Sequence, residues 1–213
     1  MSDRNNMIET VILCDGEAPR EALFRHYIEP ADRLIVTDGA ITVTDVMGIQ
    51  PDHLIGDFDT YQPTGKEPFA VHHDADQDTN DLEKALKLAL DQGTRKIVVL
   101  GATGKRLDHT LKNLSVLKQF RPRFDELFYH DNYGITRLIR SGFTAAYPLG
   151  TQISLFPLSG TVAQVKTEGL KYALWNEDLI NGEQDGSSNE VTRSPIKIWY
   201  EQGDLLLFEA HSF

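Results

Sequence analysis

Two aspartates set two residues apart, Asp57 and Asp59, stand in the run Ile55-Gly56-Asp57-Phe58-Asp59-Thr60, directly after a short apolar stretch. In extended chain, residues i and i+2 project to the same side, so the two carboxylates are expected to face one point. Like charges about 4 Å apart repel by about 4 kcal/mol at an effective dielectric of about 20. A divalent cation between them turns that repulsion into attraction. A second acid-rich run, Asp76-Gln77-Asp78-Thr79-Asn80-Asp81, precedes the most regular helical pattern of the chain. Acids favour a helix N-terminus and Asn caps one well. The same side chains also offer the hard oxygen ligands that Mg2+ takes, and Asp81 is expected to face the cleft of Asp57 and Asp59. The third piece is Gly101-Ala102-Thr103-Gly104-Lys105-Arg106-Leu107-Asp108-His109. A glycine-rich turn ahead of a helix presents backbone N–H groups to an anion, and Arg grips phosphate with two parallel bonds. The spacing is that of neither the Walker loop nor the dinucleotide fingerprint. His72 and His73 beside Asp74 lack the spacing and thiolates of a structural zinc site. The set points to a metal–polyphosphate site and leaves the substrate unnamed.

Positioning these groups falls to alternating strands and helices. Thr10–Cys14, Leu34–Thr37, His53–Gly56, Phe69–His72, Lys96–Leu100 and Glu126–Tyr129 read as strands. Helices are expected from Pro19, as first helical residue, to Ile28, from Ala40 to Met47 with Gly48 as its stop, and from Asn80 to Gly93. In the last of these, Asn80 and Glu83 form a reciprocal capping pair. A fourth helix carries Leu107, Leu111, Leu114 and Leu117 on one side. This alternation predicts a mostly parallel sheet covered on both faces, with ligands at the carboxyl ends of its strands. Asp15, Asp38, Asp57 and Gly101 all fall at such ends. From about Gly134 the pattern changes to short β segments: Thr136–Ile139, Thr151–Phe156, Val162–Thr167, Glu190–Arg193, Ile196–Tyr200 and Asp204–Phe208. The expectation is an α/β domain over 1–134 and a β-sandwich over 135–213.

A chain of 213 residues is long enough to bury a real core in one large domain or two small ones. Its net charge of −11 argues against a general nucleic-acid binder, which needs a basic face. The single Cys14 rules out an intrachain disulfide and reads as a small buried side chain at a strand end. The first six residues, Met1 to Asn6, carry no signal-peptide pattern, and no apolar run reaches the roughly 20 residues needed to span a bilayer. A cytoplasmic protein without membrane or nucleic-acid partners is expected.

The three chemical stretches, taken with Pro51-Asp52-His53-Leu54 ahead of the first, resemble the thiamine pyrophosphokinase family. Asp38-Gly39, Ile153-Ser154-Leu155-Phe156-Pro157-Leu158, Thr167-Glu168-Gly169-Leu170-Lys171-Tyr172 and Gly186-Ser187-Ser188-Asn189-Glu190 match further family motifs, in order and in both halves. The resemblance implies attack of the thiamine hydroxyl on the β-phosphorus of ATP, giving thiamine diphosphate and AMP, in a homodimer with thiamine near the interface. It implies catalytic roles for Asp57, Asp59, Asp81 and Asp108, with Mg2+ on Asp57, Asp59 and Asp81. Asp38, Gly39, Gln77, Asn80, Gly101, Thr103, Gly104, Arg106 and His109 then belong to the nucleotide site, and Leu170, Tyr172, Ser188 and Asn189 to the thiamine site. Three positions depart from the family pattern: Lys105 and Ala40 replace glycines, and Tyr172 stands where Trp is common. If the turn needs positive φ at 105, a lysine there is strained. Two other readings are a pyrophosphokinase for another alcohol, such as a hydroxymethylpterin, and a non-catalytic thiamine- or nucleotide-binding regulator.

Overall fold

The computed structural model describes residues 7–211, so the reading of Met1 to Asn6 lies outside the described residues. The chain divides into two compact units between Asn132 and Tyr133. The first unit is built on β1 (Thr10–Leu13), β2 (Arg33–Thr37), β3 (His53–Gly56), β4 (Ala70–His73), β5 (Lys96–Leu100) and β6 (Glu126–His130). They lie in the order β6-β5-β1-β2-β3-β4, and each pairing is parallel. The central strands are near-continuous apolar runs, as burial on both faces requires: Val11, Ile12 and Leu13 of β1 and Val98, Val99 and Leu100 of β5 are fully buried. Each such side chain contributes about 1.5–3 kcal/mol by leaving water. In register, β1 ends at Leu13 beside Val36 and Leu100, so the turns after β1, β2 and β5 open on one side.

Four helices serve this sheet: α1 (Glu21–Ile28), α2 (Ile41–Met47), α3 (Asp81–Asp91) and α4 (Leu107–Phe120). Gly48 ends α2 in the left-handed region, as expected of a stop. Pro19 is not the first helical residue. Arg20 holds the N-cap position with extended backbone, which places the proline one residue outside the helix. Asn80 caps α3 by accepting the Glu83 N–H at 3.0 Å, but the return half of the pair is missing. The buried Glu83 carboxylate instead accepts from Gln119 at 3.2 Å and pairs with Lys112 at 3.4 Å and Lys87 at 3.5 Å, tying α3 to α4. The leucine stripe expected on α4 is also rotated. Asn113, Val116, Leu117 and Phe120 are buried, whereas Leu107 and Leu111 are 70% and 56% exposed. Leu117 stays inward, but a polar residue, Asn113, occupies the inward stripe, so a phase set by leucines alone is offset from it.

The second unit contains β7 (Gly134–Ile139), β8 (Phe143–Ala145), β9 (Gln152–Pro157), β10 (Thr161–Glu168), β11 (Trp175–Ile180), β12 (Gly186–Glu190), β13 (Ile196–Trp199) and β14 (Leu205–Ala210). Antiparallel pairing orders them as β12-β9-β14-β7 and β11-β10-β13-β8. Alternate residues of both sets, including Ile153, Leu155, Val162, Val165, Ile196, Ile198, Leu205 and Leu207, pack in one core. Two strands escape the sequence reading, β8 and β11. In β11 four exposed residues precede Leu179, so no apolar alternation marks it. The strand expected over Glu190–Arg193 lies earlier, at Gly186–Glu190, where Gly, Ser and Asn hide its β character. The chain is thus a mixed α/β structure with a separate antiparallel β-sheet.

Candidate active site

Three aspartates meet beyond the ends of β2 and β3. Asp38, Asp57 and Asp59 each offer a carboxylate oxygen, and these oxygens all lie within 4.8 Å of one another. Extended chain is not what aligns the last two. β3 stops at Gly56, and Phe58 adopts a left-handed φ of 59° with its ring stacked on His73 at 5.6 Å. The chain doubles round this buried anchor, with Asp57 and Asp59 on either side. Gly56 is required there because a Cβ would stand 2.6 Å from the Asp38 Cβ. Asp38 is 1% exposed and accepts the N–H groups of Thr60 at 3.1 Å and Tyr61 at 2.8 Å. Burial pushes its carboxyl above the ordinary range; the two N–H bonds act against this, while the charges of Asp59 and Asp57 add to it. Gln77 donates to Asp57 at 3.0 Å, and chiefly for that reason Asp57 sits below its ordinary value.

Asp81 lines the same cleft but is not one of the compact trio. It begins α3 and faces Lys84 at 3.5 Å, whose buried ammonium also donates to the Asp74 carbonyl at 2.8 Å. Burial raises the Asp81 carboxyl, the Lys84 charge lowers it, and Asp57 raises it again. The family resemblance grouped Asp81 with Asp57 and Asp59; all three line the cleft, and the compact trio of carboxylates adds Asp38. The available signal was the end of β2 at Asp38-Gly39, which the sequence reading assigned to nucleotide alone.

The wall opposite is the turn after β5. Gly16 donates to the Gly101 carbonyl at 2.7 Å and Glu17 to the Thr103 carbonyl at 2.7 Å, joining the turns after β1 and β5. Gly101 (φ 65°) permits this approach, since a Cβ would meet the Cys14 carbonyl at 2.2 Å. The Cys14 thiol is buried and pushed up by burial, as an inert structural cysteine should be. Lys105 does take a left-handed φ, 50°, the strain foreseen for a lysine at this position. No side chain caps α4 at Arg106, and the start of the helix, Arg106 and His109 included, lines the cleft. Asn113 ties the parts together: it accepts from Asn80 at 2.7 Å and donates to the Ala102 carbonyl at 2.7 Å. It was missed because it reads as an ordinary helix residue.

The resulting cleft holds about 390 Å³ and is lined by Gly39, Asp57, Asp59, Gln77, Asn80, Asp81, Gly104, Lys105, Arg106 and His109, among others. Not every expected residue faces it. Asp108 is exposed and pairs with Arg106, Nε to Oδ1 at 3.1 Å, and the Thr103 hydroxyl turns away to Asp131 at 2.8 Å. Gly101 serves the joint between turns. In the second unit, Leu170 is buried in the core. Asn189 is 3% exposed and clips the chain, accepting from Tyr172 N–H at 3.0 Å and Glu190 N–H at 2.9 Å and donating to the Tyr172 carbonyl at 2.7 Å. Ser188 is left-handed (φ 56°), and Tyr172 is 63% exposed.

Acids converging opposite a glycine turn and a helix start, at the carboxyl ends of a parallel sheet, are the layout of a phosphate-handling enzyme. Comparison with known proteins narrows the class. Residues 24–128 match the family model described as thiamin pyrophosphokinase, catalytic domain, and residues 143–204 match its vitamin B1 binding domain. Thiamin pyrophosphokinase 1 of Caenorhabditis elegans is 30% identical over 176 residues, spanning 76% of this chain and 72% of that protein. The Bacillus subtilis thiamine pyrophosphokinase is 27% identical over 191 residues, spanning 82% and 85%. The solved structure from Geobacillus thermodenitrificans superposes with a TM-score of 0.81 at 26% identity, covering 96% of this chain and 98% of that one. The yeast enzyme, at 16% identity, shares the fold with a TM-score of 0.82, covering 97% and 87%. The chain belongs to the thiamin pyrophosphokinase family.

Proposed function

We propose that the chain transfers a pyrophosphoryl group from ATP to the hydroxyl of thiamine, giving thiamine diphosphate and AMP. The observation that carries this is the Asp38, Asp57 and Asp59 trio: Asp57 and Asp59 line one cleft with a glycine turn and the start of α4, and Asp38 is buried against them. Three hard oxygen donors at this spacing fit Mg2+, with Asp81 beside them as a further acid. Asp38, Asp57 and Asp59 would hold a Mg2+ ion, which would supply screening of polyphosphate from the carboxylates and offset of charge on the departing AMP oxygen. The protein's own contribution is positioning. The α4 N–H groups and Arg106 receive phosphate oxygens, Gln77 and the Thr60 and Tyr61 amides fix the orientation of the acids, and the closed turns hold these groups in place before substrate arrives. We assign no general base.

In this reading 1–134 is the catalytic nucleotide domain with a parallel sheet, and 135–213 is a β-sandwich that binds thiamine. Ser188 and Tyr172 lie at its exposed edge, with Asn189 and Leu170 as their structural support. The match of residues 143–204 to a vitamin B1 binding domain favours thiamine over a pterin alcohol. The assembly is a homodimer with thiamine near the interface, acting in the cytoplasm. Among the described residues no helix is long and apolar enough to cross a membrane. Incubation with thiamine, ATP and Mg2+ tests the reaction. Thiamine diphosphate with AMP is the expected pair; thiamine monophosphate with ADP, or no turnover, refutes the reading. Tyr172→Ala is expected to raise KM for thiamine and leave that for ATP unchanged.

A further inference from the structure

The cleft is lined by three basic side chains among the described residues, Lys84, Lys105 and Arg106, and each already has an acid partner. The partners differ in kind. Lys84 is buried, and its ammonium is held by the Asp74 carbonyl at 2.8 Å as well as facing Asp81 at 3.5 Å. Arg106 pairs with Asp108 two residues along the same turn, both more than half exposed, so this pair is open to exchange, as the phosphate role given to Arg106 requires. Lys105 reaches across to the turn after β1, where its ammonium meets Asp15 at 2.6 Å. Both ends of this pair are about half exposed, 53% and 51%, and an exposed pair of this kind is weak and readily exchanged. The backbone at Lys105 is left-handed, and the residue lines the cleft beside the glycine turn.

We propose that Lys105 is a nucleotide-contact residue that exchanges partners, leaving Asp15 for a phosphate oxygen of ATP, so that Asp15 and Lys105 together set affinity for the nucleotide. The inference rests on the ATP-dependent reaction proposed above. Asp15 is then a competitor of the substrate. It keeps the ammonium in the cleft mouth, and the nucleotide must displace it. The strained φ is retained because the side chain is useful there, where a glycine would relieve the strain and remove the charge.

Steady-state kinetics on the full chain with thiamine, ATP and Mg2+ test this, alongside calorimetry with Mg2+ and a non-hydrolysable ATP analogue in the absence of thiamine. Loss of one charge-assisted hydrogen bond predicts that Lys105→Met raises KM for ATP and the analogue's Kd about tenfold. KM for thiamine is expected to hold, and Lys105→Arg is expected to restore binding. Asp15→Asn is expected to move the opposite way and tighten the analogue. Unchanged analogue binding in Lys105→Met, or weaker binding in Asp15→Asn, overturns the exchange. If the parent protein forms no AMP yet these binding shifts appear, the reaction assignment fails and the exchange stands. If Lys105→Gly alters thermal stability and not analogue affinity, the residue is only a turn element and the proposal falls.

Discussion

Two acid-rich stretches of the first unit look alike on paper and behave oppositely in the fold. In Asp76 to Asp81 the acids are occupied with their neighbours. Asp76 accepts the Asp78 N–H at 2.9 Å and the Thr79 hydroxyl at 3.0 Å, and Asn80 caps α3. In the Asp57 to Asp59 stretch, Asp57 accepts from Gln77 at 3.0 Å and, weakly, from the Asp59 N–H at 3.4 Å, and Asp59 accepts the Thr60 hydroxyl at 3.0 Å. Each also offers an oxygen toward Asp38 from another strand. Acids close in sequence satisfy one another's backbone. Acids brought together from separate strand ends converge on one point, where a ligand can meet them.

The contrast breaks most decisively at Asp59. Asp59→Asn is expected to lower the rate of AMP formation about a hundredfold or more, the scale of losing one preorganised charge contact in a transition state. Its melting temperature should stay level or rise, because one of three crowded charges is gone; a variant retaining full turnover removes the trio from the mechanism. Asn80→Ala tests the other stretch and should act through stability, by about 1–2 kcal/mol for the lost cap and the lost bond to Asn113. Chemical denaturation measures it, and an unchanged midpoint contradicts the structural role.

A third, smaller effect separates Asp81 from its run. Its carboxyl is raised above 3.8 in the fold, so the folded state holds the proton more tightly than the unfolded chain. That stabilisation is fully present below the ordinary value and is lost as pH rises through the raised one. Melting curves without added metal should therefore show the wild type falling behind Asp81→Asn between acid and neutral pH, and parallel curves would contradict burial as the cause. The smallest effect is expected at Asp76→Ala, which should leave AMP formation nearly unchanged. A large loss there would erase the distinction between the two stretches.

Much of this was readable from the chain. β3 and β5 were placed to the residue, since apolar runs ending at Gly-Asp or Gly-Ala carry both limits. Asn80 as a cap and Gly48 as a stop followed from local chemistry. What failed depended on distance or on conformation. No spacing in sequence brings Asp38 to Asp57, because their meeting needs β2 beside β3 and a left-handed Phe58 between the aspartates. The α4 phase failed at Asn113, a polar side chain placed inward to bond Asn80 and Ala102. Leu170 and Asn189, assigned to the thiamine site on motif likeness, also carry packing and backbone bonds that the motif did not reveal.

Glu83 has a consequence of a different order. Its buried carboxylate joins α3 to Lys112 and Gln119 of α4 from behind, while the N-terminal turns of the same two helices carry Asp81 and Arg106 in front. The gap between those turns is therefore gauged by a group that never meets substrate. Shortening that strut, as in Glu83→Asp, would change the reach from acid to arginine and slow turnover with every reacting group still present.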